Sequence, residues 1–238
     1  MKITAATQRA IEKHALECYP EECVGIIVDG KYKRLKNTHA NPTESGSFDE
    51  SVFVKYQVQA LIHSHPKSGN QPSLADCDAW RKLKVVFGII ATDGEAVSEI
   101  RWLDENNPAP LVGREFIYGY HDCGSIVRDW YWLERGIRIP DFARDHDWKP
   151  GEAHKDLYSQ IVDKAGFYEV DRRDLQKGDV LLMRIAGPHM HHAAVYVGNN
   201  KILQQLHAPK ARHLSGYDDL MGAWDKFVVK VVRYGKQK

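Results

Sequence analysis

Two histidines one residue apart, followed beyond a turn by a serine and an aspartate, constrain the first half of this chain more than any other feature. They lie between Leu61 and Trp80, as His63, His65, Ser73 and Asp76 in the pattern His-x-His-x7-Ser-x2-Asp. Side chains alternate across a strand, so histidines at i and i+2 on the run ALIHSH project from one face and can reach a common point. The Gly/Asn/Pro turn that follows leads into a helix start, and Asp76 in its first turn can return as a third ligand. Two imidazoles and one carboxylate leave a fourth tetrahedral position open, the arrangement of a catalytic rather than a structural zinc. Ser73 with an acidic residue three positions on, behind Pro72, also reads as a helix cap, and capping can coexist with metal binding. Capping alone accounts for neither histidine.

At 238 residues the chain exceeds the usual single-domain size, so two domains are expected, each able to bury a core. Lys and Arg number 33 against 32 Asp and Glu, giving a formal net charge of +1. That balance supplies no basic footprint for nucleic acid and no acidic tail. MKITAATQRA opens into a polar helical pattern rather than an apolar leader, and no apolar run approaches membrane-spanning length. A soluble chain without a classical export signal is expected. Cys18, Cys23, Cys77 and Cys123 show no paired spacing, which predicts reduced thiols and synthesis in a cytoplasm.

Thr4 is placed to cap a helix running to about Cys18, with Ile11, Ala15 and Leu16 on its apolar face. CVGIIV and KYKRLKN read as a hairpin turning at Asp29-Gly30, and a short helix or strand is expected near Val52 to Val58. ALIHSH, VVFGIIAT and SEIRWL read as strands, with a helix over SLADCDAWRKLK between the first two. This mixture without a repeat indicates an α/β or α+β sheet domain with its site at one strand end. DENNPAPLVGR, residues 104–114, combines prolines with small and polar residues, which places the boundary there, between domains at 1–107 and 111–238.

In the second half, Cys123 stands where a turn enters a helix, with Ile126, Val127, Trp130 and Leu133 at helical spacing behind it. A helix N-terminus favours the thiolate, although a buried core cysteine is the ordinary alternative. LQKGDVLLMRI, HHAAVYVG and KILQQL read as strands, the last two joined at Asn199-Asn200. His192 then begins one strand and Gln204 sits on the next, as a base and an orienting group require. His189 and His191 compete with His192, which is preferred because it directly precedes the apolar strand. Tyr118 and Tyr120 could each donate to an oxyanion or simply pack.

His63, Ser64, His65, Pro66, Ser73 and Asp76 resemble the signature of the JAMM (Mov34/MPN) zinc metallopeptidases, and Glu22 and Gly25 in PEECVGII resemble their upstream Glu-x-x-Gly. The resemblance implies a mixed sheet with helices, His63, His65 and Asp76 as ligands of Zn2+, Glu22 as general acid/base, and Ser73 as a donor to the oxyanion. The second half resembles the NlpC/P60 peptidases through Asp122-Cys123, Lys177-Gly178-Asp179-Val180 and the His192-x-x-Val195-Tyr196-Val197-Gly198 strand. This implies a papain-like domain with an antiparallel sheet, Cys123 as nucleophile, His192 as base and then acid, Gln204 as the third polar residue, and peptides of bacterial peptidoglycan as substrate. Two departures stand out: Gly124-Ser125 replaces the usual Ser-Gly, and Gln204 stands where a histidine is frequent. Together and in this order, the halves resemble the tail assembly proteins of long-tailed phages, the lambda K-like family. That resemblance implies a virion tail-tip component made in the host cytoplasm, with other tail-tip proteins as partners. It acts either as a bifunctional peptide hydrolase or as a structural module with enzyme-like folds; an isopeptidase acting on ubiquitin-like tags would use the first domain alone.

Overall fold

The computed structural model describes residues 1–66, 68–146, 158, 161–185, 188–207 and 214–235. Lys67 of the His/Ser/Asp stretch and Gly187 of the histidine-rich loop lie outside them. The chain divides into two compact units, Met1–Pro108 and Ala109–Lys238.

In the first unit, Thr4 caps α1 (Ala5–Cys18) by accepting from the Thr7 N–H. Ile11 and Ala15 are buried, with Leu16 at the margin of the stripe. β1 (Val24–Val28) and β2 (Lys31–Leu35) form an antiparallel hairpin whose turn residues, Asp29 and Gly30, both take positive φ, at 50° and 70°. Such a turn matches the right-handed twist of its strands. After α2 (Val52–Lys55) comes β3 (Ala60–Pro66), buried along its whole length. It pairs antiparallel with β1 and parallel with β4 (Val86–Thr92). A parallel pair needs a crossover, which α3 (Leu74–Leu83) provides. β5 (Arg101–Leu103) pairs antiparallel with β4 and completes the mixed sheet, in the order β2-β1-β3-β4-β5. His63 and His65 therefore occupy the carboxyl end of the central strand, where α/β sheets present their sites.

The second unit sets α4 (Cys123–Arg135) against a six-stranded sheet. Its strands are β6 (Phe167–Val170), β7 (Val180–Met183), β8 (His192–Gly198), β9 (Lys201–Gln204), β10 (Gly216–Asp219) and β11 (Val228–Tyr234). Their order is β10-β9-β8-β7-β11-β6, and every pairing is antiparallel. Ile126, Val127, Trp130 and Tyr131 of α4 pack on Val180, Leu182, Ala193, Val195 and Leu203. Tyr131, rather than Leu133, completes this stripe; Leu133 is 48% exposed. At about 100° per residue the stripe centres between residues 126 and 127, so Leu133 falls about 90° away from its centre. Cys123 falls within about 10° of that centre. The periodicity that buries the helix thus also aims its first side chain toward the sheet.

A Cβ on Gly25 would overlap the hydroxyl and ring of Tyr32, which His14 holds through Nδ1 at 2.9 Å. Gly25→Ala is expected to destabilise the first unit by about 1–3 kcal/mol. Calorimetry reads this as a lowered Tm, and an unchanged Tm would show that Tyr32 swings aside without cost.

Candidate functional site

At the head of β3 the predicted ligands converge. His63 Nε2 lies 3.0 Å from Asp76 Oδ1, His65 Nε2 lies 3.3 Å from Asp76 Oδ2, and the two Nε2 atoms are 3.1 Å apart. Among the described residues this is the one group of three such side chains able to share a metal ion, its ligand atoms all within 4.8 Å of one another. His65 Nδ1 meets the Gly69 carbonyl at 3.1 Å, which makes Nδ1 the donor there, so Nε2 faces the others as a lone pair when the ring is neutral and as a donor to Asp76 when it is protonated. Acceptors gathered this tightly call for a cation between them, so the donor set fits a metal. Burial penalises a charged His65, yet Asp76 and the Gly69 carbonyl outweigh it and raise its pKa. Burial likewise opposes the Asp76 charge, but hydrogen bonds from His63, His65 and Ser73 hold the carboxyl far below its usual range.

The helix-cap alternative is realised in the same residues. Ser73 Oγ accepts from the Asp76 N–H at 3.1 Å and donates to Oδ2 at 2.7 Å, while the Ser73 N–H donates to Oδ2 at 2.8 Å. One carboxylate thus starts α3 and faces both histidines. Glu22, just ahead of β1, is buried; burial raises its pKa, and the nearby His63 and His65 partly oppose the shift.

The second centre lies at the head of α4. Sγ of Cys123 is 3.1 Å from the Tyr158 hydroxyl and 3.9 Å from the His191 carbonyl, and the Ala193 N–H donates to it. The thiol therefore rests against the backbone on either side of His192. The His192 imidazole is buried, with Nε2 2.8 Å from Gln204 Oε1 and the Trp224 ring 6.5 Å away. No hydrogen bond joins Cys123 to His192. Burial, reinforced by the charge of Asp122, pushes the thiol pKa up. Burial also lowers His192 to about 4, against the opposing Gln204 bond. The resting pair is a neutral thiol and a neutral imidazole. Of the competing histidines, His189 is exposed and His191 turns Nδ1 to the His189 carbonyl. Tyr120 stacks on His121 with ring centroids 4.0 Å apart, whereas Tyr118 is half-buried and pushed up to about 12 by burial and Asp122.

Asp122 explains one departure from the family pattern. It caps α4 by accepting from the Ser125 N–H at 2.9 Å, while Ser125 Oγ accepts from the Asp122 N–H at 2.8 Å. Arg144 clasps the same carboxylate through Nε and Nη2 at 2.8 and 2.9 Å. A Cβ on Gly124 would lie 2.9 Å from Arg144 Nη2, so glycine makes room for the guanidinium and serine supplies the cap. Burial opposes the Asp122 charge, but Arg144 outweighs it and holds the carboxyl well below its usual range. Sequence reasoning missed Arg144, Tyr158, Trp224 and Asp218, whose Oδ2 accepts from Gln204 Nε2 at 2.8 Å.

Fold and sites together define a two-part protein: the family described as "Prokaryotic homologs of the JAB domain" matches residues 4–104, and the "NlpC/P60 family" matches 113–233. The chain is 28% identical over 240 residues to the tail tip assembly protein K of Escherichia phage N15, covering 94% of this chain and 93% of that one. With its counterpart in Escherichia phage lambda it shares 34% over 154 residues, covering 63% of this chain and 70% of that one. The chain belongs to the NlpC/P60 family and to the family of these phage tail tip assembly proteins K. A solved NlpC/P60 family protein from Bacillus cereus aligns over 94% of this chain and 66% of its own, at 16% identity and a TM-score of 0.38.

Thiolate is the reactive form, so a raised thiol pKa makes alkylation climb with pH. Iodoacetamide labelling of Cys123, followed on its peptide by mass spectrometry, is expected to keep rising above the ordinary thiol value of about 8.5. A plateau reaching down toward pH 4 would instead reveal a preformed thiolate–imidazolium pair. Arg144→Ala leaves a buried carboxylate without its cation and is expected to cost about 3–5 kcal/mol. Denaturant unfolding should show the transition of the second unit shifting while that of the first stays in place.

Proposed function

We propose that this chain is a tail-tip peptide hydrolase with two centres, a zinc peptidase site in the first unit and a thiol endopeptidase in the second that cuts the stem peptides of bacterial peptidoglycan. The observation that carries this reading is Cys123 at a helix head, lying against the backbone that flanks His192, with His192 Nε2 held by Gln204. When a scissile carbonyl reaches Sγ, His192 takes the thiol proton at Nδ1 and later gives it to the leaving amine. The N–H groups at the start of α4 ahead of Ser125, whose own N–H is held by Asp122, are the ready donors for the developing oxyanion.

In the first unit, His63, His65 and Asp76 would hold Zn2+, which supplies Lewis-acid polarisation of a peptide carbonyl and acidifies a water. Burial raises the pKa of Glu22, which makes its carboxylate a stronger base for accepting and returning a proton. Ser73, whose hydroxyl donates to Asp76 Oδ2 at rest, would turn it to the oxyanion once that carboxylate is taken up as a metal ligand. The relatives' description as tail tip assembly proteins supports a virion tail-tip location, synthesis in the host cytoplasm, and other tail-tip proteins as partners. No described helix is long and apolar enough to cross a membrane. Peptidoglycan is met when the tail engages a cell.

A second reading, an assembly module whose enzyme-like folds do not catalyse, is favoured by the absence of a Cys123–His192 hydrogen bond and by the raised thiol pKa. Release of soluble muropeptides from purified peptidoglycan decides between them. Intact protein is expected to cleave, with Cys123→Ala losing at least about 1,000-fold. His65→Ala is expected to keep wall cleavage while losing bound zinc in elemental analysis. Failure of intact, zinc-loaded protein to release any muropeptide would favour the assembly reading.

A further inference from the structure

The polar chain at the second centre does not stop at Gln204. On β9, Gln204 lies opposite Ala194 of β8 and opposite Gly216 of β10. His192 is two residues before Ala194 and Asp218 two residues after Gly216, so all three polar side chains share a face and meet as diagonal neighbours. Diagonal reach needs open space beside it, and the directly opposed residues are the two smallest. The result is one line of hydrogen bonds across three strands: His192 Nε2 to Gln204 Oε1 at 2.8 Å, and Gln204 Nε2 to Asp218 Oδ2 at 2.8 Å.

An amide can present either end to its neighbour, whereas a carboxylate oxygen can only accept. Asp218 therefore selects the NH2 end of Gln204 and turns the carbonyl toward His192. A carbonyl facing Nε2 requires Nε2 to carry the hydrogen, which leaves the lone pair on Nδ1. If the amide turned over, Nε2 would accept, Nδ1 would carry the proton, and the ring could not take a proton from Cys123 there.

Building on the thiol peptidase reading above, we propose that Asp218 is a positioning residue that fixes the Gln204 amide and, through it, the base tautomer of His192. It also supplies at one remove the negative charge that glutamine lacks as a partner of the imidazole.

The test uses the full chain labelled with 15N-histidine, with the His192 tautomer read by NMR and muropeptide release measured in parallel. Wild type is expected as the Nε2–H tautomer. Asp218→Ala is expected to admit the other tautomer and slow hydrolysis about tenfold. In a Gln204→Ala background, adding Asp218→Ala is expected to cost nothing further, since the two act in series. Gln204→Glu sets two carboxylates face to face and is expected to be impaired, while adding Asp218→Asn restores a donor–acceptor match and rescues it. That exchange keeps the test decisive if Asp218→Ala does not fold. An unchanged tautomer in Asp218→Ala, losses that multiply in the Gln204→Ala background, or no rescue by the exchange would each overturn the proposal. If even wild type releases no muropeptide while the tautomer responds as described, the peptidase reading falls and the role of Asp218 stands.

Discussion

Strand register is the constraint on which both centres depend. His63 and His65 share a face only because β3 runs extended through them, held by Val24 opposite His63 on one side and Ile89 on the other. His192, Gln204 and Asp218 meet only because β8, β9 and β10 pair as they do. A slip of one residue would turn each of these side chains to the other face. Burial of the alternate positions resists that slip: Ile62 lies in the first core, and Ala193, Val195 and Leu203 lie beneath α4. The apolar residues therefore aim the polar ones, and a core substitution that loosened either sheet would reach the chemistry without touching it.

Both units also use a helix start in the same way. Ser73 with Asp76, and Asp122 with Ser125, are reciprocal capping boxes: the N–H three residues on is accepted by the Ser73 hydroxyl in α3 and by the Asp122 carboxylate in α4, and the partner side chain accepts the cap residue's own N–H. In α3 the capping carboxylate is itself the candidate ligand. In α4 it sits one residue before the candidate nucleophile and opposes ionisation of the thiol, an effect that Arg144 offsets only in part. A device that costs little locally thus fixes a functional group to within one turn of the sheet edge.

What the sequence discloses follows from how local each rule is. The His63/His65/Asp76 set is legible because strand alternation and helix capping act over a few residues, and His192 with Gln204 because they flank a recognisable Asn-Asn turn. Asp218 is not legible: it lies 14 residues beyond Gln204, on a strand reading GYDD, which has no apolar alternation to give its register. Arg144 and Tyr158 contact Asp122 and Cys123 across 22 and 35 residues, with no periodic signal to link them. Leu133 shows the reverse error. Its spacing from Ile126 is helical, but the stripe is completed by Tyr131, whose hydroxyl donates to the Gly178 carbonyl just ahead of β7, and Leu133 is left facing solvent.

The two centres treat buried charge in opposite ways, and the difference bears on what each can do. In the first, three acceptor groups are pressed together with Glu22 nearby, a concentration of negative and lone-pair density that favours a cation. In the second, each carboxylate near the thiol is matched: Asp122 by Arg144, Asp141 by Arg128 and Arg144, and Asp129 by Arg114 and Arg128. Charges balanced this closely neither attract a metal nor drive the Cys123 proton away at rest. On the proposed peptidase reading, the thiol loses its proton only when a carbonyl arrives to share the developing charge. On this electrostatic ground the first centre favours a bound cation, whereas the second holds its charges already balanced.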